Sequence, residues 1–127
     1  MEDIFFNHEN ILFYSALTTL IVHEMDAIRC EEWKIIPGLS LLNEELGFKV
    51  FVFSHIPLFI FLFIGLSSHY YANLIFWLDW FFIIHFFLHL IFLLHKNNKF
   101  KDWISWTFIS GTAIFGFLDI LLKINVR

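Results

Sequence analysis

The chain has 127 residues, of which 59% are hydrophobic, 21% aromatic and only 16% charged. A soluble domain of this size could not hide 19 phenylalanines in one core, so the composition argues against a soluble fold and favours lipid as the solvent. A formal net charge of −4 without a long basic cluster argues against nucleic acid as a partner, and the single cysteine, Cys30, excludes a disulfide framework within the chain.

Four apolar runs are each close to the length of a membrane span, which requires about 20 residues. We therefore predict an all-α fold, a four-transmembrane-helix bundle that forms a single domain over residues 1–127. The predicted helices cover residues 11–30, 48–66, 74–94 and 103–122.

The elements between and within these spans carry their own signals. The acidic start of the chain lacks the basic residues of a signal peptide, so we expect the first helix to be retained as an anchor. Pro37 and Gly38 interrupt the first link, and Ser40 is predicted to cap a short interfacial helix. Pro57 is predicted to kink the second helix, and small residues on the fourth helix, such as Gly111 and Gly116, favour close helix packing.

Basic residues predict the orientation of the bundle. The links after the first and third helices hold most of them: Arg29, Lys34, Lys49, Lys96, Lys99 and Lys101. The other side holds Lys123 and Arg127. The positive-inside rule places both basic links in the cytoplasm and both termini outside, and we expect a bacterial cytoplasmic membrane. Trp33, Trp103 and Trp106 are predicted to mark the inner interface, and Tyr70, Tyr71, Trp77 and Trp80 the outer one.

Histidines on three of the predicted helices fall at nearly the same depth in the cytoplasmic half. They are His23 on the first helix, His55 on the second, and His85 with His89 on the third. Asp26 lies one turn from His23 on the same helix face, and His85 and His89 share a face because they are four residues apart. This pattern predicts a metal site, for which imidazole and carboxylate ligands suit zinc or non-haem iron.

Other roles for the same residues stay open. Glu24 points away from His23 by roughly 100 degrees and is our candidate for the general acid or base if the site performs chemistry. A haem is a less favoured cofactor, because His85 and His89 share one face and could not clamp it from both sides. Alternatively, Asp26 simply pairs with Arg29 at a helix end.

The segment from His23 to Trp33 resembles the opening motif of small, uncharacterised bacterial four-helix membrane proteins. The matching residues are His23-Glu24-Met25-Asp26-Ala27-Ile28-Arg29, with Glu32-Trp33 and Pro37-Gly38. The resemblance implies a class of membrane protein and no mechanism. The spacing of His85 and His89 is also similar to one histidine box of membrane fatty-acid desaturases and hydroxylases, but the chain lacks their HxxHH box and the HExxH motif of zinc proteases.

We therefore expect a small membrane protein that binds a metal ion near the cytoplasmic face through His23, Asp26, His55, His85 and His89. The alternative is a non-catalytic interaction subunit or oligomeric pore, a homo-oligomer in which the histidines form a buried hydrogen-bond or proton network. A third hypothesis is a lipid-binding protein with a cavity at the Pro57 kink. Whether the protein is an enzyme stays open.

Overall fold

Four long helices dominate the part of the chain that the structure, a computed structural model, describes, which is residues 8–125. They are α1 (Ile11–Arg29), α2 (Glu44–Leu66), α3 (Tyr71–Phe92) and α4 (Trp103–Asn125). Each is long and apolar enough to span a membrane, and residues 8–125 contain no β-strand. The predicted all-α, four-helix fold is confirmed. The first seven residues and Arg127, which contributed to the predictions of anchoring and orientation, lie outside the described residues.

The helix ends differ from the predicted ones by a few residues. Helix α2 begins four residues early because the Asn43 side chain caps it, accepting a hydrogen bond of 2.9 Å from the Leu46 amide. The short helix predicted after Ser40 is instead a 3-10 turn, Leu39–Leu41. Pro57 lies inside helix α2, which continues past it to Leu66.

Helices α1, α3 and α4 form the core, and α2 lies at its periphery. Only Gly47 and Phe51 are buried on α2, so most of its apolar side chains face outward, where lipid would contact them. On α4 the predicted close packing is present within the chain: a Cβ atom at Gly111 would lie 3.3 Å from the Thr19 methyl group of α1, and one at Gly116 would lie 3.1 Å from the Phe82 ring of α3.

The links after α1 and α3 lie at the same end of the bundle, which we call the basic end. A polar network joins α1 to α4 there. Asp26 accepts hydrogen bonds from Arg29 at 2.7 Å and from the Ser105 hydroxyl at 2.5 Å, and Arg29 also binds Asp102 at 2.9 Å. The expected Asp26–Arg29 pair is therefore present, as one part of a larger contact between two helices.

Apolar residues fill the core in two clusters. One, near the basic end, includes Ala27, Trp33 and Phe100, and the other, farther along the bundle, includes Phe13 and Phe82. Trp33 is 6% exposed, so its side chain packs in the core, and its role as a marker of the inner interface stays a prediction. Between these clusters α1 carries a fully buried histidine.

Candidate metal centre

That histidine, His23, is one of four buried side chains that converge near the basic end. His23, Glu32, His85 and His89 each offer one nitrogen or oxygen atom, and these atoms all lie within 4.8 Å of one another. We call this group the His3Glu cluster. It draws residues from α1, α3 and the turn that follows α1, so residues far apart in the sequence meet in one place.

Helical spacing on α3 brings two of the histidines together. His85 and His89 are one turn apart, their ring centroids are 4.5 Å apart, and their Nε2 atoms are 3.1 Å apart. His23 of α1 stands edge-on to both, with centroid distances of 4.7 Å to His85 and 4.9 Å to His89. The predicted meeting of these three histidines is thus present in the structure.

The fourth member, Glu32, reaches the cluster because the chain reverses after α1. Glu31 adopts a left-handed conformation with φ of 54°, and the 3-10 turn Glu32–Lys34 follows it. The Glu31 side chain holds this conformation by ion pairs to Lys34 at 2.7 Å and Lys99 at 2.5 Å. Glu32 Oε1 then lies 3.4 Å from Nε2 of His89.

Trp33 anchors the same turn on α2. Its ring packs against Phe48 and Phe51, with centroid distances of 5.2 Å and 5.8 Å. A Cβ atom at Gly47 would lie 3.1 Å from the Trp33 ring, so the glycine leaves space for the tryptophan. The turn that carries Glu32 is therefore fixed on both sides, by ion pairs and by apolar packing.

Burial leaves the cluster short of hydrogen-bond partners. Neither ring nitrogen of His23 has a partner among residues 8–125, nor do the Nδ1 atoms of His85 and His89. Buried polar atoms in proteins are nearly always bonded, so His23 in particular requires a partner. Burial also raises the pKa of Glu32, an effect that the hydrogen bond from His89 opposes.

A phenylalanine from the link between α3 and α4 covers the cluster. Phe100 is 1% exposed, and its ring centroid lies 4.7 Å from that of His89 and 5.4 Å from that of His23. Its carbonyl accepts a hydrogen bond of 3.0 Å from Trp106 Nε1, and its amide donates one of 3.3 Å to the buried Asn98 side chain. Phe100 thus seals the cluster from the basic end.

The donor set and its spacing suit a tetrahedral metal ion. Zinc binds imidazole nitrogen and carboxylate oxygen at about 2.0–2.2 Å, which puts neighbouring tetrahedral ligands about 3.3 Å apart. Two separations in the cluster are close to that value, 3.1 Å between the Nε2 atoms of His85 and His89 and 3.4 Å from His89 to Glu32, and the four donor atoms all lie within 4.8 Å of one another. Three nitrogens and one oxygen also suit non-haem iron.

Two of the five predicted ligands lie outside this cluster. Asp26 faces α4 and accepts hydrogen bonds from Arg29 and Ser105. His55 lies on peripheral α2, where Nδ1 is 2.7 Å from the Phe51 carbonyl and Nε2 is 2.9 Å from Glu24. His55 was predicted at the same depth as the other histidines, but it does not lie beside them. The depth of a residue along a bundle does not determine the direction in which its side chain points.

Glu24 forms a hydrogen bond with His55 beside the cluster. Both ring nitrogens of His55 have an oxygen partner, Nδ1 the Phe51 carbonyl and Nε2 the Glu24 carboxyl group. Glu24 also lies close enough to Glu32 to interact with it electrostatically. The carboxylate predicted as a general acid or base therefore lies next to the cluster, with a partner of its own.

Glu32 is the member of the cluster that sequence reasoning missed as a ligand. It lies in a link, where helical spacing gives no guide to the direction of a side chain. A signal was nevertheless present, since Glu32 and Trp33 belong to the motif that begins at His23.

A comparison with known families places this chain within a wider group. A family model described as a family of unknown function (DUF6713) matches residues 9–126, and the chain belongs to this family. No curated protein and no solved structure matches the chain.

Proposed function

We propose that this member of the DUF6713 family is a membrane metalloprotein that holds one zinc or iron(II) ion in its His3Glu cluster. The observation that carries the proposal is the convergence of four buried donor atoms within 4.8 Å, in a cluster where both nitrogens of His23 otherwise have no partner among residues 8–125. A metal ion bound by His23 would satisfy one of them. A hydrogen-bonded chain formed by His85, His89 and Glu32 alone would satisfy neither.

The number of ligands favours a structural role for the ion over a catalytic one. Structural zinc sites use four protein ligands, whereas catalytic zinc sites use three and leave a position for water. Here four donors are available and Phe100 covers them. The ion would join α1, α3 and the turn after α1. The catalytic role of Glu24 stays a prediction, and this proposal does not use Asp26 or His55 as ligands.

Metal content measured on the purified full-length protein tests this proposal. The protein is produced with a tag that does not bind metals, solubilised in detergent, and analysed for metal by mass spectrometry. We expect about one zinc or iron per chain. His23→Gln and His85→Gln should lose most of it, because each removes a ligand while keeping a polar side chain of similar size.

His55→Gln is the matched control, since His55 also lies on a membrane helix but outside the cluster. It should keep the metal content of the unaltered protein. A metal-free protein that also takes up neither added zinc nor added cobalt would contradict the proposal and favour the hydrogen-bond network. Equal metal content in His85→Gln and His55→Gln would also contradict it.

We also propose that the basic end faces the cytoplasm of a bacterial cell, with the protein in the cytoplasmic membrane. The support is the concentration of lysine and arginine in the links at that end. In a Cys30→Ser background, a cysteine introduced at Asn97 should react with a membrane-impermeant thiol reagent only after the cells are opened. A cysteine at Ser68, in the opposite link, should react in intact cells, and the reverse pattern would contradict this orientation.

A further inference from the structure

A second buried polar site lies in the opposite half of the bundle, between α3 and α4. Asp79 is 1% exposed and Asp119 is fully buried. The two helices approach closely there because Gly116 has no side chain, and a Cβ atom at that position would lie 3.2 Å from the Asp79 carbonyl oxygen. Asp119 follows Gly116 by one turn on the same face of α4, which brings the two carboxylates into interaction.

The charges at this site do not balance. Lys123 forms an ion pair with Oδ2 of Asp119, one helical turn away. Both oxygens of Asp79 and Oδ1 of Asp119 have no hydrogen-bond partner among residues 8–125. Within residues 8–125, two carboxylates and one ammonium group leave one negative charge in this buried site, and burying a carboxylate without a partner is strongly unfavourable. The site therefore requires one positive charge.

The unpartnered carboxylate also lines a cavity. The cavity has a volume of about 400 Å³, and its wall includes Asp79, Lys123 and the first residues of α3. Most of the remaining lining is apolar, from side chains such as Ile75 and Ile120. A buried polar group without a partner, placed on the wall of a cavity, is an observation independent of the acidic pair and indicates a ligand that arrives by this route.

We propose that Asp79 and Asp119 form a proton-binding site that exchanges its proton through this cavity. One proton on Asp79 neutralises the excess charge, and the resulting hydroxyl group donates a hydrogen bond to Oδ1 of Asp119 while Oδ2 keeps its bond from Lys123. Besides Asp79, the titratable groups on the cavity wall are Glu9, Tyr71 and Lys123. Asp119 of α4 is not on the wall but interacts with Asp79. No electron transfer or covalent rearrangement is involved.

A proton fits this site better than a metal cation does. Hard cations such as magnesium and calcium require about six or more oxygen ligands. The site offers three carboxylate oxygens without partners among residues 8–125, and the cavity beside them is largely apolar. A shared proton needs only two oxygens, and carboxylates held close together commonly share one.

Infrared spectroscopy of the full-length protein in phosphatidylcholine vesicles tests the proposal directly. A protonated carboxylic acid has a carbonyl stretching band that a carboxylate lacks. At neutral pH we expect the intensity of one such group per chain. Asp79→Asn should remove the band, whereas the matched control Asp102→Asn, in the link at the basic end, should keep it. Circular dichroism checks that each variant is helical.

The route of exchange is tested by transfer into deuterium oxide. The band should shift as the proton is replaced, and Ala72→Trp, which fills the cavity, should slow the shift at least tenfold. Phe61→Trp, on the outward face of α2, is the control and should exchange like the unaltered protein.

Three results would overturn the proposal. One is that the unaltered protein shows no protonated carboxyl band at neutral pH, or a band that Asp79→Asn leaves in place. Another is that sodium or calcium ions remove the band at constant pH, which would assign the site to a metal cation. The third is that Ala72→Trp exchanges as fast as Phe61→Trp, which would exclude the cavity as the route.

Discussion

Phe100 gives the sharpest test of how the cluster is protected. The Phe100 ring is almost completely buried against His23 and His89. Because Phe100 belongs to a link between helices, unfolding of this link would expose the ring to water at the membrane surface. Replacing a buried phenylalanine by alanine costs about 3–5 kcal/mol, from lost transfer energy and the cavity left behind. We expect Phe100→Ala to lose stability in this range and to expose the metal to solvent.

The assay is metal release to a chromogenic chelator, followed alongside unfolding in mixed detergent micelles. We expect Phe100→Ala to release metal at least tenfold faster, which corresponds to about 1.4 kcal/mol from the barrier to release. Phe61→Ala is the control: this side chain is 73% exposed, and its loss should change stability by less than about 0.5 kcal/mol. If the two variants released metal at the same rate, the reasoning that Phe100 seals the cluster would be refuted.

Four further substitutions test the packing of α4 and the polar contacts beside the cluster. Gly116→Ala should lower the unfolding free energy by about 1–3 kcal/mol, because the new methyl group would press on a ring and a carbonyl of α3, and Gly111→Ala should cost less because it meets only a methyl group. Asp26→Asn should cost about 1–2 kcal/mol in the same denaturation assay, less than a fully buried ion pair because its arginine partner is half exposed. It should leave metal content unchanged, since Asp26 binds Ser105 and not the cluster, and a loss of metal would refute this placement. Glu24→Gln should also keep one metal per chain, and a metal-free variant would show that this carboxylate is a ligand.

The membrane helices could be predicted because long apolar runs have few alternatives in lipid. The ends of these helices were predicted less accurately than the helices themselves. Hydropathy excludes the polar first turn of α2, whereas the structure includes it because Asn43 caps the helix there. The burial of Trp33 was also beyond prediction, since an aromatic residue near a span end is typical of the membrane interface.

Three residues of the candidate site could be predicted from spacing and depth together. His85 and His89 share a face on any helix, and His23 lies at the same depth on a neighbouring one. Glu32 could not be placed, because its direction depends on the left-handed backbone of Glu31 and on contacts from distant parts of the chain.

His55 shows the limit of the depth argument. The apolar residues of α2 predict a membrane helix but not its position around the bundle. In the structure α2 is peripheral and His55 pairs with Glu24 of α1. The prediction that Asp26 lies on the helix face toward the bundle is confirmed, because this side chain is buried. Ser105 of α4 lies at that point, and Asp26 accepts its hydrogen bond.

X-ray absorption spectroscopy at the metal edge tests the central claim most directly. The metal that the protein retains, or zinc added to the purified protein, should show four nitrogen or oxygen neighbours at about 2.0–2.1 Å, with outer-shell scattering from three imidazole rings and no sulfur. A protein without metal, or a metal with a sulfur ligand or a shell of oxygens alone, would contradict the assignment of His23, His85, His89 and Glu32 as its ligands.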